Sequence, residues 1–410
     1  MKLQIFLTPM VTLIGILAPR SLPIFLIGGA IAAAINSDRI KVRRPDPGLL
    51  LTLTICCSPF AIVVIKYLFE PRYLGHWDTA FIVTGLALCT LIILRQFLFL
   101  NEEDLRKIAL LFFAGIFFAV AIFLSNLLFA NWGKALLAWL SLDGDTIGPE
   151  HGNRPAVVLV LWLWPALLFL TGKIKSNPSR FRWLLPVGFY LFSTLTIMMS
   201  ESETAKLALL TGSVVLLAMW VIPIVTKGFL WLGIMGLICF MPWTAGILEK
   251  QGLHEQEWLQ NSARHRVIMW SFASDLIEKK PVLGYGFRSS KAEKFVLDQN
   301  DPDYTLYQFK GTFSTDKYIT SHPHNAFVQI RLDLGIPGVV MLLTGFLALF
   351  YRTNRLERPV QPAVFAGLAA SVAVLATGYG LWQNWLLCAL AWTILAFGLS
   401  VAEYRLKSEA

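Results

Sequence analysis

Long apolar runs, separated by short polar segments, recur from one end of this chain to the other. They leave few folds open to it. A backbone inside lipid has to satisfy its own N–H and C=O groups, so such runs either form helices or close into a barrel. These runs are continuous and lack the polar–apolar alternation of barrel strands. Only 15% of the 410 residues are charged, against roughly 25% in soluble domains. Taking about 20 apolar residues per crossing, we read about twelve spans, near 3–17, 22–36, 49–69, 79–100, 108–129, 156–172, 183–199, 205–225, 228–247, 336–351, 360–380 and 385–402. The fold class read from this is an all-α polytopic membrane protein. Residues 1–247 form a bundle of about nine spans, 248–335 a partly helical outer loop domain, and 336–410 about three further spans. The stretch Met1–Leu17 has only Lys2 as a charged start and reads as a short first span rather than a cleaved leader.

Short loops carrying Lys and Arg stay on the cytoplasmic side. Arg39, Lys41, Arg43 and Arg44 precede the third span, and Arg106 and Lys107 the fifth. Lys173, Lys175, Arg180, Arg182, Lys227, Arg352, Arg355, Arg358, Arg405 and Lys407 continue the series. The short alternate loops hold only Arg20, Arg72, Lys134 and Arg154; the long 248–335 loop carries eleven Lys and Arg, which a long loop can do on either side. Both ends of the sequence are then cytoplasmic. All six histidines (76, 151, 254, 265, 322 and 324) and the 248–335 loop fall outside. Nucleotides are absent there, so any synthesis has to draw on a pre-activated, membrane-borne substrate.

The formal charge of +9 is dispersed among the spans, which points to topology and away from nucleic acid. Cys56, Cys57, Cys89, Cys239 and Cys388 all lie in apolar runs, so neither a disulfide framework nor a thiolate metal site follows. Lys66 and Arg95 sit near span ends and read as snorkelling bases. Lys134–Leu142 reads as an interfacial helix. Phosphate-loop and dinucleotide fingerprints are missing.

Within the outer loop, Val267, Trp270, Ser274 and Ile277 share one helical face. That helix starts near Asn261-Ser262 and stops at Pro281. Val282-Leu283-Gly284-Tyr285-Gly286 reads as a turn. A polar stretch, about 288–321, leads to Ser321-His322-Pro323-His324-Asn325 and a short helix over 326–334. Gly335 breaks it, and Pro337 opens the next span at a first-turn position. His324 thus starts a helix where water meets the bilayer. Arg264 and Arg266 begin the other helix and suit an anionic ligand. Ser200-x-x-Glu203 reads as a capping box for the eighth span. Lys206, one turn inside, lies at the positive end of the helix dipole with Glu203 as a possible partner. His322-x-His324 is a weak zinc pattern, with no cysteine or fixed carboxylate to complete it. We read no metal site and no cofactor.

These features together resemble the O-antigen ligase and O-antigen polymerase superfamily. Its ligase signature runs His, then Asn, Ser or Gln, nine residues, Gly, two residues, then Gly, Thr or Tyr. Here it is His324-Asn325, residues 326–334, Gly335, Ile336-Pro337 and Gly338. Arg266 followed by Trp270, then Pro281-Val282-Leu283-Gly284, is similar to the superfamily's upstream pattern. Members often open a mid-chain helix with Ser-Arg; this chain departs there, and Lys206 stands one turn later.

The resemblance implies a fold similar to type C glycosyltransferases. It further implies a glycan donor on undecaprenyl diphosphate, a lipid A–core acceptor, and a site on the periplasmic face of the bacterial inner membrane, among membrane lipids. His324 would be the base and Arg266 the main catalytic and diphosphate-binding cation, with Arg264 and Lys206 as further diphosphate ligands. Asn325, Gly335 and Gly338 would be motif residues with structural roles. Two alternatives stay open: a polymerase with lipid-linked glycans as both donor and acceptor, and a lipid or polysaccharide transporter. The scarcity of midplane charges weighs against the transporter.

Overall fold

A computed structural model describes residues 2–35, 53–54, 57–59, 61–64, 77–97, 100–129, 152–175, 183–289 and 322–409. All regular elements among them are helical. They are α1 (Lys2–Leu17), α2 (Leu22–Ile35), α3 (Trp77–Phe97), α4 (Glu102–Leu128), α5 (Asn153–Lys175), α6 (Leu184–Met199), α7 (Glu203–Val221), α8 (Pro223–Lys250), α9 (Asn261–Lys279), α10 (Ala326–Asn354), α11 (Gln361–Thr377) and α12 (Asn384–Glu409). Seven of these are long and apolar enough to cross a membrane: α3, α4, α5, α7, α8, α10 and α12. α6, α11 and stretches within α1 and α2 are shorter apolar helices. The chain is an all-α polytopic membrane protein. The span read near 49–69 and the interfacial helix read over Lys134–Leu142 fall wholly or largely outside the described residues.

α5 lies at the centre. Its residues 155–169 are all buried, as a helix apolar on every face has to be. α1, α4, α6, α7, α11 and α12 surround it. Trp162 and Trp164 are the largest side chains that it buries. Farther out, Phe117, Leu191, Leu217, Trp220, Ile224, Phe229 and Phe240 are exposed on the outer helices. In a membrane protein such surface faces lipid.

Tertiary contacts sort the bundle's two ends. At one end Arg106 approaches Glu403 at 3.8 Å, Arg405 approaches Glu357 at 3.9 Å, and Gln361 Nε2 donates to the Leu356 carbonyl at 2.7 Å. At the other end the starts of α5, α7, α10 and α12 meet the end of α11. The second end carries the histidine segment.

α9 and α10 are built much as their sequence suggests, with one difference. The short helix 326–334 and the following span are a single helix, kinked at Gly335, where φ is 60°. Ile336 N–H donates to the Val282 carbonyl at 2.9 Å, and Tyr285 N–H donates to the Leu332 carbonyl at 2.8 Å. The 281–286 turn therefore docks backbone to backbone on the kink. A Cβ at 335 would fall 2.2 Å from the Val282 oxygen, so close approach and a left-handed backbone both demand glycine. A Cβ at Gly338 would fall 2.7 Å from the Ile330 side chain, on the inside of the same bend.

One local reading is corrected. The N-cap of α7 is Ser202, whose hydroxyl accepts from Ala205 N–H at 3.3 Å. Ser200 instead ends α6, its hydroxyl donating to the Ile197 carbonyl at 2.7 Å. The Ser-x-x-Glu pattern is present, but the helix starts two residues later than that pattern suggests.

Candidate functional site

Asn325 sets the geometry. Its side-chain oxygen accepts from Phe327 N–H at 2.9 Å and Val328 N–H at 3.1 Å, which caps α10. Such a cap contributes about 1 kcal/mol. The residue is fully buried. Just before it, His324 takes a left-handed backbone with φ 53°. A non-glycine residue there costs on the order of 1–2 kcal/mol. The turn aims the imidazole back toward the end of α11. His324 Nδ1 lies 2.7 Å from the Gly378 carbonyl oxygen. A carbonyl can only accept, so Nδ1 carries the proton and a neutral ring presents its lone pair at Nε2.

α9 supplies the second wall. Trp270 Nε1–H donates to the Pro323 carbonyl at 2.6 Å, which ties α9 to the histidine segment. Arg266 lies one turn before Trp270 and shares its face. It is largely buried, and burial holds its guanidinium below the usual arginine range, with the nearby Tyr379 opposing that shift. Among the described residues Arg266 has no carboxylate partner. Burial also lowers the pKa of His324; the bond to Gly378 opposes this and Arg266 adds to it. His265 is pushed down to about 4, chiefly by burial and then by His324 and Arg266. At neutral pH the site therefore holds two uncharged imidazoles beside a fixed cation.

The third wall is the connection from α11 to α12, residues 378–383, with the start of α12. Leu381 N–H donates to Gln329 Oε1 at 2.8 Å, and Trp382 Nε1–H to Asp333 Oδ2 at 2.6 Å. Ser289 completes the Asp333 carboxylate from the other side at 2.5 Å. This segment carries Tyr379, whose phenol is pushed up to about 12 by burial, with Arg154 and Arg266 pulling it the other way. The Tyr379 and Trp385 rings meet edge-on at 4.8 Å, and the Arg154 guanidinium stands 5.8 Å over Trp385.

The residues read from sequence are thus only partly brought together. Arg266 and His324 are close enough for the cation to lower the pKa of the imidazole, and Asn325, Gly335 and Gly338 shape the helix that His324 opens. Arg264 points elsewhere: its Nε donates to the His254 carbonyl at 2.7 Å, in the turn before α9. Lys206 lies in the first turn of α7, beside the site. Thr204 in that turn donates to the Thr377 carbonyl at 3.3 Å. The Lys206 ammonium is already paired with Glu203 at 2.9 Å. Tyr379, Gln383, Trp385, Arg154 and His265 also border the site, and the sequence pattern alone does not mark them. For Tyr379, Gln383 and Trp385 the one available signal is the cluster of Gly, aromatic and amide residues over 378–385, between two apolar runs.

Comparison with known proteins bears on this arrangement. Residues 188–343 match the family described as O-antigen ligase. A Rickettsia felis protein named "Putative polysaccharide ligase" is 29% identical over 258 residues, covering 61% of this chain and 58% of that protein. A Rickettsia conorii protein named in the same way is 28% identical over 310 residues, covering 74% of this chain and 68% of the relative. A third, from Rickettsia typhi, is 30% identical over 145 residues, or 34% of this chain and 33% of its own length. The family segment holds Lys206, Arg266 and His324; Arg154 and the 378–385 wall lie outside it.

Proposed function

We propose that this chain, which carries an O-antigen ligase domain over residues 188–343, is a membrane glycosyltransferase. It moves a glycan from undecaprenyl diphosphate to a hydroxyl of lipid A–core. One observation carries the reading: a buried guanidinium, with no carboxylate partner among the described residues, lies beside a neutral imidazole whose Nε2 is unprotonated. A buried, uncompensated cation is an anion site, and a positioned neutral imidazole is a general base.

In the proposed step, His324 Nε2 takes the proton of the acceptor hydroxyl. The hydroxyl oxygen attacks the anomeric carbon, and the bond from that carbon to the diphosphate oxygen breaks. The electron pair leaves on the diphosphate. Arg266 holds that charge as it develops, in a geometry suited to two phosphate oxygens. Attack in one displacement inverts the anomeric centre. The protein groups named here need no metal or cofactor for this step. Lys206 lends a further positive charge from the α7 N-terminus, while Arg264 braces the start of α9.

The membrane orientation belongs to the same reading. The bundle end opposite the histidines carries Arg106, Lys107, Arg352, Arg355, Arg358 and Arg405, the pattern of a cytoplasmic face. The site then faces the periplasm from the bacterial inner membrane, where lipid-linked glycans are presented. Residues 248–335 serve as the outer-face domain, between the membrane segments 1–247 and 336–410.

The test is a purified assay with glycosyl undecaprenyl diphosphate, offering lipid A–core or a second lipid-linked glycan as acceptor. Transfer to lipid A–core supports the ligase. Transfer only to the second lipid-linked glycan makes the protein a polymerase, and no transfer to either removes the reading.

A further inference from the structure

Three side chains that the proposed step does not use form a hydrogen-bonded chain behind His324. Trp385 Nε1–H donates to Gln383 Oε1 at 2.6 Å. An indole nitrogen can only donate, so this bond decides which end of the amide faces the tryptophan. The Gln383 nitrogen then faces His322 Nε2, 2.9 Å away. It too can only donate, so His322 Nε2 holds a lone pair and the proton of the neutral ring resides on Nδ1. His322 is 8% exposed. It packs flush on the backbone of Gly380, where an added Cβ would lie 2.6 Å from its Cγ. It also meets His324, ring centroids 4.2 Å apart and planes at 64°.

We infer that Trp385 and Gln383 form a tautomer lock on His322, and that His322, so held, is a positioning residue for His324. The inference rests on the reading of His324 as the base. His324 is fixed at three points: the Gly378 carbonyl at Nδ1, its own left-handed backbone, and the His322 ring against its side. The other tautomer would set its Nε2–H against the amide N–H of Gln383, and turning the ring over would withdraw Nε2 from that amide, so the lock resists both. A His322 free to turn would remove one wall from the base. Misplacing a reacting group by 1 Å costs on the order of 10²-fold in rate. The lock reaches the base from α12, beyond the family segment, and gives the 378–385 connection a task in the reaction.

Nitrogen-15 spectra of the full chain, histidine-labelled and in lipid bilayers at neutral pH, test the lock without reference to activity. His322→Gln and His324→Gln assign the two rings by difference. The expected result is a proton on Nδ1 and none on Nε2 in both. A wild-type His322 protonated at Nε2 overturns the lock. In Gln383→Leu, and separately in Trp385→Phe, His322 should leave that tautomer. kcat should then fall roughly tenfold to a hundredfold, with KM for the lipid-linked donor unchanged. Loss of the tautomer at full kcat overturns the positioning role. Where Gln383→Leu does not fold, Trp385→Phe carries the same comparison with its ring retained. An active His324→Gln protein would remove the base, and the positioning role with it, while the wild-type His322 spectrum still decides the lock.

Discussion

His324 and Gly378, 54 residues apart, meet at 2.7 Å, imidazole Nδ1 to carbonyl oxygen. This bond joins the start of α10 to the end of α11, and it places the proton of the neutral His324 ring on Nδ1. With Nδ1 occupied, the ring has one basic position, and that position is on Nε2. The carbonyl is backbone, and the histidine stands in a left-handed conformation that aims its ring at it.

The pH dependence follows from that arrangement. In the proposed step the neutral ring is the active form, and burial together with Arg266 holds His324 below its ordinary value of 6.5. Activity is fully present above that pKa and is lost as pH falls through it. The acid limb of the kcat profile should have its inflection below 6.5. An inflection above that value would contradict the assignment of His324.

Arg266 should show a graded loss. Hydrogen bonds to charged groups contribute about 1.5–3 kcal/mol, so Arg266→Ala should weaken donor use by roughly tenfold to a hundredfold. Arg266→Lys keeps the charge and loses the fork, and should fall between the two. Titration of the three proteins with the lipid-linked donor measures this. Equal activity in all three would make Arg266 structural.

His265 should register in stability instead of catalysis. Its folded pKa is about 4, against 6.5 ordinarily. Between those values the unfolded chain takes up a proton that the folded site refuses. Stability at this position is therefore intact above 6.5 and declines as pH falls toward 4. Thermal unfolding of wild type and His265→Gln across that range should show a shallower acid decline in the variant. Parallel curves would remove His265 from the explanation.

Gly335→Ala isolates the kink. The added carbon meets the Val282 carbonyl oxygen at 2.2 Å and has to adopt φ near 60°. A loss of about 2–3 kcal/mol is expected, visible as a lower melting temperature in detergent. Gly345→Ala, in the same helix and with open space around the glycine, is the control. Equal melting temperatures for the two variants would refute the packing argument.

Much of this was legible in the sequence, for local reasons. The α9 face repeats every three to four residues, and Gly335-x-Pro337 announces a break and a restart. Arg266 and His324 could be paired because each opens a helix bordering the same loop. The third wall was not legible. Residues 378–385 carry no charge and lie between apolar runs, so they pass for the frayed ends of two spans. Their partners Gln329, Asp333 and His322 lie 49 to 61 residues away, and a local pattern holds no such information. Arg154 reads in the sequence only as a loop charge, because its aromatic neighbour Trp385 comes from the far end of the chain. Lys206 and Arg264 were promising by position, yet Glu203 and the His254 carbonyl engage them.

The most direct test of the account measures two products at once in purified protein: glycan joined to lipid A–core, and undecaprenyl diphosphate released. Wild type should yield them in equal amounts, and only when acceptor is present. His324→Gln should melt at the wild-type temperature and lose roughly 10²–10⁴-fold in rate. Transfer by His324→Gln near the wild-type rate, or transfer by wild type without release of the diphosphate, would contradict it.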